Sequence, residues 1–224
     1  MLFEQYYDEK WFGLDGYFKV HRARFIQTWS FMQRLGLPER GRVLDVGGIG
    51  PVAAYLAEQR GWSADQTNSD LRYELGSTAT DAFHLVLCTE TIEHIKDRES
   101  SKIADLEAFN FSGVLSMLGE LGRASKKRGF VVVTTPNANS YISLHKWMMG
   151  EALMMDPKHV REFSVSDLKW VMQRAGLQVV ATEVVNSWEE SFGGVVLELK
   201  GRLEGMRELQ AVPRGDNIMM AAMK

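Results

Sequence analysis

The chain has 224 residues, of which 45% are hydrophobic and 25% charged, a balance typical of a globular protein with a sizeable core. This composition excludes wholesale disorder, and the length favours a single large domain over two. The formal net charge of −3 gives no global electrostatic reason to bind nucleic acid. A nucleic-acid partner is therefore disfavoured, and a small-molecule partner is sought in local motifs.

The sequence also predicts where the protein works. The single cysteine, Cys88, excludes an intrachain disulfide and favours a reducing, cytoplasmic location. The first ten residues carry three acids and one lysine with no apolar stretch behind them, so no signal peptide is expected. No apolar run approaches the ~20 residues of a membrane span, so no transmembrane segment is expected either.

Apolar periodicity predicts helices and strands in alternation. A helical stripe of Phe25, Trp29 and Met32 ends at Gly36, and residues 1–40 are interpreted as a helical lead-in that could act as a lid. A β-branched run at 42–46 then predicts a buried strand that enters a glycine turn. Later strands are predicted at 83–88, 130–134, 177–185 and 217–223. Helices are predicted at 52–60, 103–126 with cations at its end, 164–175, and around 199–206.

Strands that alternate with helices of crossover length predict an α/β fold, with a doubly wound, mainly parallel sheet covered on both faces. Ligands of such sheets bind beyond the carboxyl ends of the strands. Those ends are expected at residues 47–50, 88–94 and 135–137. Function is therefore sought in these three loops.

The first of these loops is rich in glycine. Gly47, Gly48 and Gly50 follow a strand and open a helix, an arrangement that lets backbone N–H groups approach a ligand closely. A P-loop is excluded because no Lys-Ser or Lys-Thr pair follows Gly50. A dinucleotide fingerprint is met only formally, with Ala53 in its last position. A tight turn without a ligand is the remaining alternative.

Residues 43–48 (VLDVGG) resemble the first motif of class I S-adenosylmethionine-dependent methyltransferases. Residues 83–95 look like the fourth-strand segment of that family, and residues 133–137 look like its fifth. The resemblance covers about residues 41–224 and implies that they form the cofactor-binding domain. It further implies a seven-stranded sheet whose last strand is antiparallel, with S-adenosylmethionine as the cofactor.

The resemblance also implies which residues contact the cofactor. Cys88 and Thr89 would lie against it through their backbone, and an acid at the end of the second strand would bind both ribose hydroxyls. Asp65 and Asp70 compete for that role, and Asp70 is preferred because it lies ~25 residues after Asp45, near the ~20 expected for such an acid. The implied cofactor contacts are Asp45, Gly47, Gly48, Gly50, Asp70, Leu71, Cys88 and Thr89.

Acidic and histidine side chains gather in the second loop. If residues 90–95 begin a helix, their spacing places Glu90, Glu93 and His94 on one face. Oxygen and imidazole donors on one face can hold a divalent cation and leave open positions for a substrate. The alternative is a helix first turn enriched in acids, with His94 an ordinary surface residue.

The Glu-x-x-Glu-His pattern resembles ubiquinone-biosynthesis O-methyltransferases and small-RNA 2′-O-methyltransferases. That resemblance implies a divalent metal, Mg²⁺ or Mn²⁺, held by Glu90, Glu93, His94 and a further ligand, His159. Without a metal, His94 or His159 could act as the general base that removes a proton from the acceptor.

The function predicted from these patterns is O-methylation of a hydroxyl on a small molecule such as a phenol, a quinone precursor or a sugar. An RNA 2′-O-methyltransferase is one alternative, opposed by the net charge, and a non-catalytic interaction protein is another. Acceptor specificity is expected from residues 1–24 and 141–156, which carry clusters of aromatic and methionine side chains, and from the insertion around residues 199–209.

Overall fold

The computed structural model describes residues 1–67, 69–76, 79–99, 111–152, 154–203, 206 and 211–224. The strands are β1 (Arg42–Asp45), β2 (Ser63–Gln66), β3 (Phe83–Thr89), β4 (Ser125–Pro136), β5 (Gln178–Val185) and β6 (Asn217–Met223). The helices are α1 (Phe3–Lys10), α2 (Gly16–Val20), α3 (Arg22–Gln33), α4 (Pro51–Arg60), α5 (Ser112–Ala124), α6 (Tyr141–Met148), α7 (Val165–Arg174) and α8 (Glu189–Leu203). A 3₁₀ turn covers Ile92–His94.

The strands form one sheet in the order β2-β1-β3-β4-β6-β5. The first four strands pair in parallel, and β6 is antiparallel to both of its neighbours, β4 and β5. This topology confirms the predicted α/β fold with an antiparallel last strand. The described residues give six strands where seven were predicted, because the described part of the segment between β2 and β3 forms turns.

Helices cover both faces of the sheet, as the doubly wound fold requires. Alternate residues of β3 point to opposite faces, so Val86 packs with Leu118 of α5 and Val171 of α7 in one core layer. Leu85, its neighbour in the strand, lies in the other layer with Leu56 of α4. The carboxyl ends of β1, β3 and β4 are thereby held at one edge between two packed layers.

The helical lead-in belongs to the second layer. Phe3, Tyr6 and Tyr7 are buried, and the Phe3 ring lies 5.4 Å from Trp29 of α3 and 5.2 Å from Tyr55 of α4. These aromatic side chains of α1 therefore pack in the core. No helix in the described part of the chain is both long and apolar enough to cross a membrane.

Three predicted boundaries are wrong. The described part of the helix predicted at 103–126 ends at Ala124, and residues 100–110 lie outside the described residues. Strand β4 begins at Ser125, so the cations at 126–128 belong to a strand and not to a helix end. Pairing with β3 is the reason, because Ser125 already pairs with Phe83 and Phe130 pairs with Leu85. Helix α8 also begins earlier, at Glu189.

Candidate cofactor and active site

The glycine loop has the backbone shape that its sequence predicts. Gly47 has φ 92° and Gly48 has φ 144°, conformations that side chains with a Cβ rarely adopt. Asp45, the last residue of β1, accepts a hydrogen bond from the Gly50 N–H at 2.8 Å. Pro51 then occupies the first turn of α4, where its missing N–H costs nothing.

The end of β2 holds the same loop, which the sequence reasoning missed. The Thr67 hydroxyl accepts from the Gly47 N–H at 3.1 Å, and the Gln66 side-chain oxygen accepts from the Ile49 N–H at 3.2 Å. The parallel pairing of Asp45 with Gln66 brings these groups together. The signal in the sequence was a pair of polar residues at the end of a weak strand, and only the register of β1 and β2 shows that they reach the glycine loop.

Burial changes the acidity of Asp45. The residue is 3% exposed, and desolvation raises its pKa to about 7, although the Gly50 N–H opposes the shift. Cys88 is buried as well, and burial raises the pKa of its thiol, so this side chain is not a reactive thiolate. Thr89 is half-buried at the end of β3.

The two candidate ribose acids have different positions. Asp65 lies within β2 and pairs at 2.7 Å with Arg42, which begins β1 at the opposite end from the glycine loop. Asp70 lies beyond the carboxyl end of β2, where Arg72 pairs with it at 2.7 Å and holds its pKa below the usual range. Leu71, between Asp70 and Arg72, is buried in the core.

Glu90 has partners that its sequence context did not reveal. Its Oε2 lies 3.2 Å from Nη1 of Arg24 in α3, in a pair whose side chains are 11% and 5% exposed. Its Oε1 accepts from Thr134 Oγ1 at 2.8 Å and from Asn217 Nδ2 at 2.9 Å. The expected helix over 90–95 is wrong, because the 3₁₀ turn begins only at Ile92 and leaves Glu90 outside it.

Three of the four predicted metal ligands meet. Ligand atoms of Glu93, His94 and His159 lie within 4.8 Å of one another. The Glu93 carbonyl accepts from the Val160 N–H at 2.8 Å, which brings the segment that carries His159 over the 3₁₀ turn. Glu90 is not a member of this cluster, and its carboxylate is used by Arg24.

Glu93 is fully buried. One of its carboxylate oxygens accepts from the Thr135 hydroxyl at 3.0 Å, and the other has no hydrogen-bond partner among the described residues. Burial raises the pKa of Glu93 well above its ordinary value, and the negative charge of Glu90 adds to the shift. An unpartnered oxygen in a buried carboxylate is costly unless a ligand satisfies it.

The two imidazole rings lie with centroids 4.8 Å apart. His94 Nδ1 lies 3.3 Å from the Lys158 carbonyl oxygen, and His159 Nδ1 lies 3.2 Å from Glu162 Oε1. Because both contacts use Nδ1, Nε2 of each ring is the atom that could serve as a ligand or a base. A carboxylate behind a histidine, as Glu162 is behind His159, fixes the orientation and tautomer of the ring.

A cavity of about 300 Å³ meets the surroundings of this cluster at one residue, Glu162. Its lining includes Trp147 and Met154, from the segment expected to recognise the acceptor, and Glu162, which also contacts His159. The full lining is Ala138, Asn139, Ser143, Leu144, Trp147, Met154, Glu162 and Arg214. A mainly apolar cavity with a few polar groups is typical of small-molecule sites.

A mainly parallel sheet with a glycine loop after β1 and acidic and histidine side chains after β3 has the arrangement of α/β proteins that bind ligands at their strand ends. A family model described as a methyltransferase domain matches residues 18–182. The chain therefore belongs to the methyltransferase domain family, which confirms the wider resemblance seen in the sequence. No curated protein matches the chain.

Solved structures of methyltransferases share the fold. An S-adenosylmethionine-dependent methyltransferase from Archaeoglobus fulgidus is 17% identical with a TM-score of 0.59, covering 94% of this chain and 100% of that one. Phosphoethanolamine N-methyltransferase 2 of Haemonchus contortus, in complex with S-adenosyl-L-methionine, is 16% identical with a TM-score of 0.55, covering 100% and 60%. A possible histamine N-methyltransferase of Thermotoga maritima is 20% identical with a TM-score of 0.54, covering 99% and 98%. At these identities the likeness establishes the fold.

Proposed function

We propose that the chain is an S-adenosylmethionine-dependent methyltransferase whose cofactor lies over Gly47, Gly48 and Gly50. The observation that carries the proposal is the glycine loop itself, which has positive φ angles and is held open by Asp45 and by the end of β2. Family membership and the cofactor bound to the Haemonchus enzyme support the choice of cofactor. A cytoplasmic location is proposed as well, supported by the single cysteine of the sequence.

The remaining cofactor contacts follow from that placement. Asp70, beyond the end of β2, is proposed to accept hydrogen bonds from the ribose hydroxyls, with Leu71 beside it. The backbone of Cys88 and Thr89 would line the far side of the cofactor. Asp65 is the weaker candidate for the ribose because Arg42 holds it at the other end of β1.

Calorimetric titration of S-adenosylmethionine and its demethylated product tests the cofactor. We expect Gly47→Val to abolish binding, because valine disfavours φ 92° and fills the space above the loop. Gly119→Val in α5, where a Cβ meets nothing within 4 Å, is the matched control. Asp70→Ala is expected to weaken binding about tenfold. A folded wild-type protein that binds neither compound would contradict the proposal.

The acceptor is proposed to be a hydroxyl of a small, partly apolar molecule that binds in the cavity beside His159. Methyl transfer needs in-line approach of the acceptor oxygen to the methyl carbon, so positioning supplies much of the acceleration. The oxygen–carbon bond forms as the sulfur–carbon bond breaks, and the hydroxyl proton must leave. Where no metal is bound, His159, oriented by Glu162, or His94 is proposed to take that proton.

Screening with labelled cofactor tests the acceptor class. The panel contains phenols, quinone precursors, sugars and RNA, and it also contains amines because two of the similar structures are described as N-methyltransferases. We expect label in a small hydroxylated compound and its loss in Trp147→Ala, which enlarges the cavity mouth. Methylation of an amine would contradict the proposal that the acceptor atom is an oxygen, and methylation of RNA would contradict the proposal that the acceptor is a small molecule.

Glu93, His94 and His159 are further proposed to hold a divalent cation, Mg²⁺ or Mn²⁺. The fit is supported by the unpartnered oxygen of Glu93 and by the carboxylate of Glu162 behind His159. When bound, such an ion would lower the pKa of an acceptor hydroxyl. Glu90 is left out of the proposed ligand set because Arg24, Thr134 and Asn217 already use its carboxylate.

Chelation followed by repletion with Mg²⁺ or Mn²⁺ tests the cation. We expect activity to disappear and return, and Glu93→Gln to behave like the chelated wild type. Direct metal binding can be followed independently by calorimetry with Mn²⁺ on the wild type and on Glu93→Gln. Full turnover in excess chelator would leave His94 or His159 as a base without a metal.

A further inference from the structure

A buried ion pair links the helical lead-in to the end of β3. Arg24 of α3 is 4% exposed, and its Nη1 lies 3.2 Å from Oε2 of Glu90. Its Nη2 donates a hydrogen bond to the hydroxyl of Tyr17 at 2.7 Å, and the guanidinium lies 5.3 Å from the ring centroid of Phe25. Both terminal nitrogens of Arg24 are therefore used inside the protein.

Glu90 is the point where three elements meet. Its carboxylate contacts Arg24 of α3, Thr134 of β4 and Asn217 of β6. Its backbone N–H also donates to the Thr134 carbonyl at 2.9 Å, and its φ is 50°, a conformation uncommon outside glycine. Such a conformation persists only where the surrounding contacts enforce it.

The residue after Glu90 connects this contact to the glycine loop. The Thr91 hydroxyl donates to the Thr89 carbonyl at 3.0 Å and lies 3.9 Å from the place where a Cβ of Gly47 would stand. A shift of Glu90 along the chain therefore moves the group that faces Gly47. This is the space in which the proposed cofactor lies.

We infer that Arg24 is a positioning residue of the cofactor site, which holds Glu90 and through Thr91 sets the shape of the β3 loop over Gly47. The inference rests on the proposed function. Without Arg24, a buried carboxylate loses its cation, and the contact that helps to enforce its strained backbone is gone. The helical lead-in thereby contributes to cofactor affinity, although the side chain of Arg24 acts on the cofactor only through Glu90.

A double-mutant cycle tests this inference, with the affinity of each variant for S-adenosylhomocysteine measured by calorimetric titration. The variants are Arg24→Met, Glu90→Gln and the combination of both, with Arg22→Met on the same helix as the matched control. We expect each single variant to lose affinity about tenfold or more, which is about 1.4 kcal/mol. The combination should return to within about threefold of wild type, because glutamine keeps an oxygen for Thr134 and Asn217 and needs no cation.

The outcomes separate the two possible roles of Arg24. A combined variant as weak as Arg24→Met would overturn the inference, because Arg24 would then touch the cofactor itself. Equal affinity of Arg24→Met and wild type would also overturn it. If Arg24→Met does not fold, Arg24→Lys replaces it and is expected to keep most of the affinity. A loss of affinity in Arg24→Lys while Glu90→Gln binds like wild type would count against the inference. Absence of binding by the wild type would instead contradict the proposed function, and the inference with it.

Discussion

Glu90 and Glu93 lie three residues apart after β3, yet their carboxylates have opposite surroundings. Glu90 has a guanidinium on one oxygen and two hydrogen-bond donors on the other. The carboxylate of Glu93 is buried and accepts one hydrogen bond within the described part of the chain, from Thr135, and burial raises its pKa. The difference shows that spacing along the chain does not assign a role to a carboxylate, because the partners come from distant segments.

The comparison has a chemical consequence. A carboxylate with partners on both oxygens stabilises the fold and has little acceptor capacity left for a ligand. A carboxylate with an unused oxygen beside two imidazole rings is available for a cation or a proton. The strand end therefore combines one anchoring acid, Glu90, with one acid suited to chemistry, Glu93.

The largest effect expected from this difference is on stability. Arg24→Met removes the cation from a buried ion pair and should lower the free energy of unfolding by about 3 to 5 kcal/mol. Glu93→Gln should change it by less than about 1 kcal/mol, because a neutral amide resembles the protonated acid that burial favours. Urea unfolding of both variants at pH 7 measures the two values.

The two unfolding free energies can contradict the contrast between Glu90 and Glu93. If Glu93→Gln costs as much as Arg24→Met, then Glu93 is also an anchoring residue, and its unused oxygen has a partner in solution. If Arg24→Met costs nothing, the buried pair with Glu90 does not hold the lead-in to the strand ends.

The features that the sequence predicted correctly are set by residues close to one another in the chain. The glycine loop followed from Asp45 and the glycines after it, and α7 followed from Ser164, whose side chain caps the helix by accepting from the Asp167 N–H at 3.1 Å. Such signals act within a few residues. The order of strands and helices followed from periodicity for the same reason.

What the sequence did not predict depends on tertiary pairing. Arg24 meets Glu90 only because α3 packs across the strand ends, and no spacing rule relates the two. Gln66 reaches the glycine loop only through the register of β1 and β2. The start of β4 at Ser125 likewise follows from its packing on β3 rather than from helix signals.

Asp45 offers a second test, because it is a buried acid whose pKa is raised by desolvation, as that of Glu93 is. Its pKa of about 7 in the folded protein lies above the 3.8 of a free side chain, so the folded state binds more protons between these values. Protonated Asp45 therefore contributes its full stabilisation of the folded state below pH 4, and that contribution is lost as the pH rises through about 7. We expect wild type to lose on the order of 2 kcal/mol more than Asp45→Asn between pH 5 and 7.

Asparagine at this position keeps an oxygen that can accept from the Gly50 N–H, so the loop contact is preserved in the control. Urea unfolding of both proteins across the pH range gives the difference directly, and other titrating groups cancel. Parallel pH profiles of the two proteins would show that Asp45 ionises normally and that the glycine loop admits water.

The smallest effect is expected for the exposed counterpart of the Arg24 pair. Arg22, two residues earlier on α3, contacts Asp8 at 2.6 Å, and the side chains are 34% and 47% exposed. Water and salt screen such a pair, so Arg22→Met should lower the free energy of unfolding by no more than about 0.2 to 1 kcal/mol. Its remaining effect should shrink further in 0.5 M salt, since the Debye length falls to roughly 4 Å.

The effect of Arg24→Met on the free energy of unfolding should persist in the same salt, because burial shields the pair of Arg24 and Glu90 from the added ions. Equal salt sensitivity in the two variants would mean that Arg24 and Glu90 meet in solvent, and the contrast between a buried and an exposed arginine on one helix would disappear.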